Sequence, residues 1–260
     1  MKTLNKIKNI ILPLVFWILV WQVLSIVVDK EVLLPSPLVV VKKLSSLFLL
    51  ANFHKAVLMT LLRVVLGYLL GAILGVVLAV TSFYCKTVKV LVSPLFSIVR
   101  ATPVASFIIL ALVWLGRESI PTFTAVLMVM PIVYASTMTG MSSADKSLLE
   151  VAEIYNFSGI KRLRLLYLPS AVPFFLSGAK TSLGLAWKSA VAAEVLCNLK
   201  LSIGGAIYSS KNYLETTELF AWTLCVITLS LVLEKLIYAT TSSVYKKYTV
   251  GEVSENAASN

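Results

Sequence analysis

Residues 56–83 read AVLMTLLRVVLGYLLGAILGVVLAVTSF, and Arg63 is their only charged residue. A helix crosses a bilayer with ~20 mostly apolar residues, so this stretch is long enough to span with length to spare. Gly67, Gly71 and Gly75 recur at every fourth position. On a helix they share one face, where the missing side chains let a second helix approach closely. Both features predict a membrane helix packed against a neighbour.

The rest of the chain is built in the same way. It has 260 residues, a mean hydropathy of +0.91 and 58% apolar residues. Charged residues make up 13%, against about 25% in soluble domains, too few to cover a soluble surface. On the amino-terminal side, 9–28 form a first apolar run, preceded by Lys2, Lys6 and Lys8. No small-residue cleavage site follows near Asp29, so the run is expected to stay as a first span. Leu34-Pro35-Ser36-Pro37 stops and restarts the chain, with Ser36 as the expected cap and Pro37 in the first helical turn. Residues 38–50 carry Lys42 and Lys43 on one side and apolar residues on the other, which predicts an interfacial helix.

Beyond 83, Lys86 and Lys89 mark a short turn. The third span, 88–115, contains Pro94, Arg100 and Pro103, and two prolines predict a kinked or broken helix facing protein or a wet cavity. The fourth span is 121–141 and the fifth is 170–196. A polar segment of re-entrant or interfacial character covers 197–217, and the sixth span is 218–238, continuing toward 244. The reading is an all-α membrane protein with six transmembrane helices. Eleven Lys and Arg lie at the amino end, at 86–89, in 142–164 and in the tail, against seven on the opposite side, which predicts both termini in the cytoplasm.

The net charge of +11 comes from short basic clusters between apolar runs, a membrane-topology pattern and not a nucleic-acid stripe. Cys85, Cys197 and Cys225 are scattered without metal-ligand spacing, and His54 is the only histidine, so neither a metal site nor a catalytic residue is expected. No G-x-x-x-x-G-K-[ST] phosphate loop is present, so any ATP chemistry belongs to another chain.

The longest polar stretch is 142–169, SSADKSLLEVAEIYNFSGIKRLRLLYLP. Ser142 and Asp145 fit a capping box. Leu148, Leu149, Val151, Ala152 and Tyr155 then fall on one helical face, opposite Asp145, Lys146, Glu150 and Glu153. Asn156 suits the left-handed conformation that ends a helix, and Ser158 can cap a second short helix bearing Lys161, Arg162 and Arg164. An apolar face outside the membrane needs a partner.

Here the chain resembles the permeases of ATP-binding-cassette importers. Their cytoplasmic signature is E-A-A, three residues, G, nine residues, I-x-L-P. This chain reads Glu150-Val151-Ala152, three residues, Asn156, nine residues, Leu166-Tyr167-Leu168-Pro169. Val151, Asn156 and Leu166 depart from the pattern while keeping apolar bulk or tolerance of positive φ. Leu34-Pro35-Ser36-Pro37, Arg100-Ala101-Thr102-Pro103 and the run from Gly184 through Trp187 to Glu194 are similar to the nitrate/sulfonate/taurine subfamily.

The resemblance implies a type I importer permease bundle in the bacterial inner membrane, with residues 148–156 and 166–169 as the coupling helix and its frame. It implies a homodimer, two ATPase subunits that bind ATP and magnesium, an extracytoplasmic binding protein and a small sulfonate- or nitrate-like cargo. It also divides the chain into a tail and first span (1–28), an external linker (29–55), a permease core (56–245) and a polar tail (246–260). Arg100, Pro103, Lys188 and Glu194 are the expected path residues, the three charged ones because charges inside a span face the bundle interior or water. A self-sufficient secondary transporter or channel is the alternative.

Overall fold

A computed structural model of the chain describes residues 2–258, with side chains over 11–239. The basic residues expected at 2–8 and the polar tail at 246–260 lie outside the described side chains. All regular structure among the described residues is helical: α1 Lys2–Val28, α2 Pro37–Phe48, α3 Ala51–Tyr84, α4 Lys86–Ala101, α5 Val104–Trp114, α6 Ile120–Ser142, α7 Lys146–Ile154, α8 Gly159–Arg162, α9 Leu168–Leu196, α10 Ile203–Asn212 and α11 Thr216–Ala258. A wide π turn, Leu163–Tyr167, joins α8 to α9.

The core is a slab of α3, α6 and α9, with α6 in the middle. The three glycines of α3 make one contact possible. A Cβ on Gly67 would lie 2.6 Å from the Ala125 Cβ, one on Gly71 2.8 Å from the Val129 Cβ, and one on Gly75 3.0 Å from the Val133 Cβ. On the other side of α6, a Cβ on Gly140 would lie 2.7 Å from the Ala171 Cα of α9. Small residues replace hydrophobic driving force with close backbone contact, as helix association in lipid requires. Val64, Val129, Val133 and Trp187 of the slab, and Ile203 of α10 against it, are fully or almost fully buried.

The outer elements are held by fewer contacts. The apolar part of α1, Ile11–Val28, is unburied within the chain, as suits a lipid-facing span. Its carboxyl end is fixed by Trp21, whose Nε1 donates to the Pro35 carbonyl at 3.1 Å and whose ring meets Phe220 at 5.8 Å. Helix α2 begins at Pro37 as expected, although the Ser36 hydroxyl makes no cap bond. Lys43 ties α2 to Glu218 of α11 at 3.0 Å.

Two of the six expected spans differ from a simple crossing. The third is broken: Thr102 is extended before Pro103, and α4 and α5 are bent by 110°. The fifth, α9, is long but is not among the four helices apolar enough by themselves to cross a membrane, namely 11–28, 51–84, 120–142 and 216–239. Its neighbours explain this. One face of α9 packs against α6, α3, α10 and α11, so small residues such as Gly178, Ala179, Ser182 and Ala186 serve there in place of leucines. The segment after it re-enters the bundle, with Ile203, Gly204 and Gly205 of α10 buried.

Candidate functional site

The segment expected to couple the chain to a partner lies at the bundle end where α3, α6 and α9 meet α7 and α8. Helix α7 starts at Asp145, whose side chain accepts the Ser147 N–H at 2.8 Å. The capping box placed on Ser142 is therefore corrected: α6 runs to Ser142, and Asp145 is itself the cap. Asn156 ends the helix at φ 51°, with its N–H on the Glu153 carbonyl at 3.0 Å and the Phe157 N–H on the Ala152 carbonyl at 2.8 Å. This pair of bonds is a Schellman ending, which needs a left-handed residue where Asn156 stands. Ser158 then caps α8 through the Lys161 N–H at 3.3 Å.

Ala152 points inward and is 1% exposed, and Leu149 is half-buried. Leu148 (53%), Val151 (47%), Ile154 (76%) and Tyr155 (73%) face outward. Glu150 is exposed beside them. Leu166 and Leu168 are half-buried where the π turn enters α9, and Pro169 sits in the first turn of α9. The corner is fixed to α3 as well. Tyr84 donates to the Gly159 carbonyl at 3.4 Å, and the Phe83 and Tyr167 rings meet edge-on at 4.7 Å. These contacts hold α8 and the π turn against α3, and the π turn runs directly into α9.

The four residues expected along a path are not gathered in one place. Arg100 lies in the last turn of α4, exposed, with Nε on the Phe96 carbonyl at 3.3 Å. Pro103 is the hinge between α4 and α5. Lys188 is exposed on α9. Glu194 is fully buried, 0% exposed. Arg63 Nη1 reaches its Oε1 at 3.2 Å, while the Thr60 hydroxyl (2.9 Å) and the Gly204 N–H (3.2 Å) donate to its Oε2. Thr60 in turn accepts the Ile203 N–H at 3.0 Å, and Arg63 Nη2 reaches Glu118 at 2.6 Å. The carboxylate sits at the amino end of α10, where free N–H groups and the helix dipole favour an anion. The geometry makes Glu194 a clamp joining α3, α9 and α10. The sequence reading missed Arg63 and Thr60 as its partners, and a charge in an apolar span was the only signal available.

Comparison with known proteins adds a family. The profile of the binding-protein-dependent transport system inner membrane component matches residues 67–242. A protein named as an aliphatic sulfonates transport permease in Bacillus subtilis (strain 168) is 28% identical over 217 residues, covering 82% of this chain and 78% of that protein. The taurine transport system permease protein of Escherichia coli (strain K12) is 23% identical, covering 77% and 75%. Among solved structures, an amino acid ABC transporter superposes with a TM-score of 0.62 at 15% identity, over 75% of this chain and 94% of that one. An inward-facing methionine ABC transporter gives 0.57 at 16% identity, over 75% and 93%. At these identities the structures speak for the fold alone.

Proposed function

The chain belongs to the family of binding-protein-dependent transport system inner membrane components and is a permease subunit of an ABC importer; on that premise we propose that it moves a small sulfonate-type anion by alternating access, driven by separate ATPase subunits docked on α7. The observation that carries the coupling role is the exposed apolar face of α7 on a segment with the signature spacing. Water should not face Leu148, Val151, Ile154 and Tyr155 together, and an ATPase groove would cover them as a helix-in-groove contact. Closure of the ATPase dimer would move this short helix as a rigid lever. Because α8 and the π turn are held against α3 and lead into α9, that motion would reach the slab.

The cargo follows from the relatives named for aliphatic sulfonates and taurine. An extracytoplasmic binding protein would deliver it. A second copy of this chain would complete the pathway, covering faces such as Val90, Leu91, Val113 and Trp114, each about 70% exposed here. Both termini would lie in the cytoplasm, with the α7 corner on the same side.

The test replaces Leu149 and Glu150 with Lys. The variant permease is expected to reach the membrane in normal amount, to lose co-purification of the cognate ATPase by at least ~10-fold, equal to 1.4 kcal/mol, and to lose taurine uptake. Retained ATPase binding and uptake would remove α7 as the docking element.

A further inference from the structure

Helix α9 carries a polar stripe along its middle. Ser177, Lys180, Thr181 and Lys188 are all exposed on it. Lys180 lies ~18 Å along the helix from Leu168, and Lys188 ~12 Å from Leu196. Two ammonium groups so placed do not suit a lipid-facing surface. Lys180, Gly184 and Lys188 are four residues apart and therefore share a face.

Across from Gly184 stands Glu234 of α11, ~27 Å along that helix from Thr216. A Cβ on Gly184 would lie 3.5 Å from the Glu234 Oε1. The carboxylate thus faces Gly184, which lies one helical turn from each lysine. Among the described residues no ion pair within 4 Å joins it to either of them. Lys180 Nζ instead lies 4.5 Å from the centre of the Tyr238 ring. This is the opposite of Glu194, which is clamped by donors and fully buried. Glu234 is exposed, and it faces the stretch of α9 that carries the two lysines without an ion pair to either.

We propose that Lys180 and Lys188 are the anion contacts of the permeation pathway, and that Glu234 is their resident counter-ion, holding between them the place that a cargo sulfonate takes in transit. The proposal rests on the reading of the chain as a permease with an anionic cargo. A Cβ at 184 would only touch the carboxylate, whereas a branched side chain such as leucine would push it off the stripe.

The experiment measures acetylation of Lys180 and Lys188 by N-hydroxysuccinimide acetate, using mass spectrometry on the purified complex in lipid nanodiscs. In E234Q, and in G184L as a second variant that keeps the acid, acetylation of both lysines is expected to rise about tenfold. Methanesulfonate should reverse the rise, whereas sodium chloride at equal ionic strength should not. Unchanged acetylation in both variants overturns the counter-ion role. A rise that methanesulfonate does not reverse overturns the anion stripe. In cells, K188Q should lower labelled-taurine uptake about tenfold with complex assembly intact, and K188R should restore it in part; uptake by K188Q equal to wild type also overturns the stripe. Absence of taurine uptake by the wild type would refute the cargo reading instead, and the acetylation result would stand apart from it.

Discussion

The two ends of the bundle solve opposite problems. At the α7–α8 end, apolar side chains stand where water is expected, with Ile154 76%, Tyr155 73% and Ile160 80% exposed. At the α10 end, charged side chains are withdrawn from water, with Glu194 0% and Arg63 8% exposed. The second end is complete within one chain, because every buried oxygen of Glu194 has a donor. The first end is incomplete, because nothing among the described side chains covers its apolar face. A satisfied buried charge therefore points to internal architecture, and an unsatisfied exposed face points to a partner. Rigidity at one end and availability at the other fit the proposed lever working on a fixed frame.

The comparison is broken most severely at Arg63. Removing the guanidinium in R63A leaves Glu194 buried beside an empty space, and losing one partner of a buried pair costs about 3–5 kcal/mol. R63A is expected to show a markedly lower melting temperature in detergent and poor membrane yield. A double variant, R63M with E194L, removes both charges at similar volume and should recover much of the loss. Thermal unfolding followed by tryptophan fluorescence measures both. If R63A melts like the wild type, the network is not a clamp and the two ends are not as different as their geometry says.

Asn156 sharpens the comparison from the other end. Its φ of 51° belongs to the left-handed region, and the Schellman bonds from Asn156 and Phe157 depend on it. An alanine there costs about 1–2 kcal/mol, enough to fray the end of α7. N156A is expected to weaken ATPase co-purification several-fold with little change in global melting, while N156G should match or exceed the wild type. A global loss of stability in N156A would mean that the α7 corner is part of the frame and not a separable handle.

The contrast also separates what the sequence disclosed from what it hid. Local features were legible. Asn156 and Ser158 advertised a helix end and a new cap, Pro103 advertised the break in the third span, and Gly67, Gly71 and Gly75 advertised close packing. Each rests on backbone constraints spanning a few residues. The Arg63–Glu194 pair was not legible, because its members are 131 positions apart and either charge alone reads as a path residue. Capping was misread at Ser142 because a Ser–x–x–Asp pattern does not reveal that the preceding helix is still running. The low hydropathy of α9 likewise makes sense only once α3, α6, α10 and α11 are seen packed against it.

The smallest perturbation reports which end faces the cytoplasm. Cys85 lies in the elbow between α3 and α4, on the same side as the α7 corner, and it is exposed, whereas Cys197 and Cys225 are buried. The Val88 backbone N–H at the start of α4 holds the Cys85 thiol below the usual thiol range. A lower thiol pKa raises the thiolate fraction at neutral pH, and the thiolate is the species a maleimide attacks. The native protein therefore carries its own topology probe, with no substitution and no cost in stability. A membrane-impermeant maleimide should leave Cys85 unlabelled in intact cells and label it after permeabilisation, with C85S as the blank. Labelling in intact cells would place the α7 corner outside, where no cytoplasmic ATPase could reach it. The exposed apolar face would then need a different kind of partner, although the fold and the Glu194 clamp would stand.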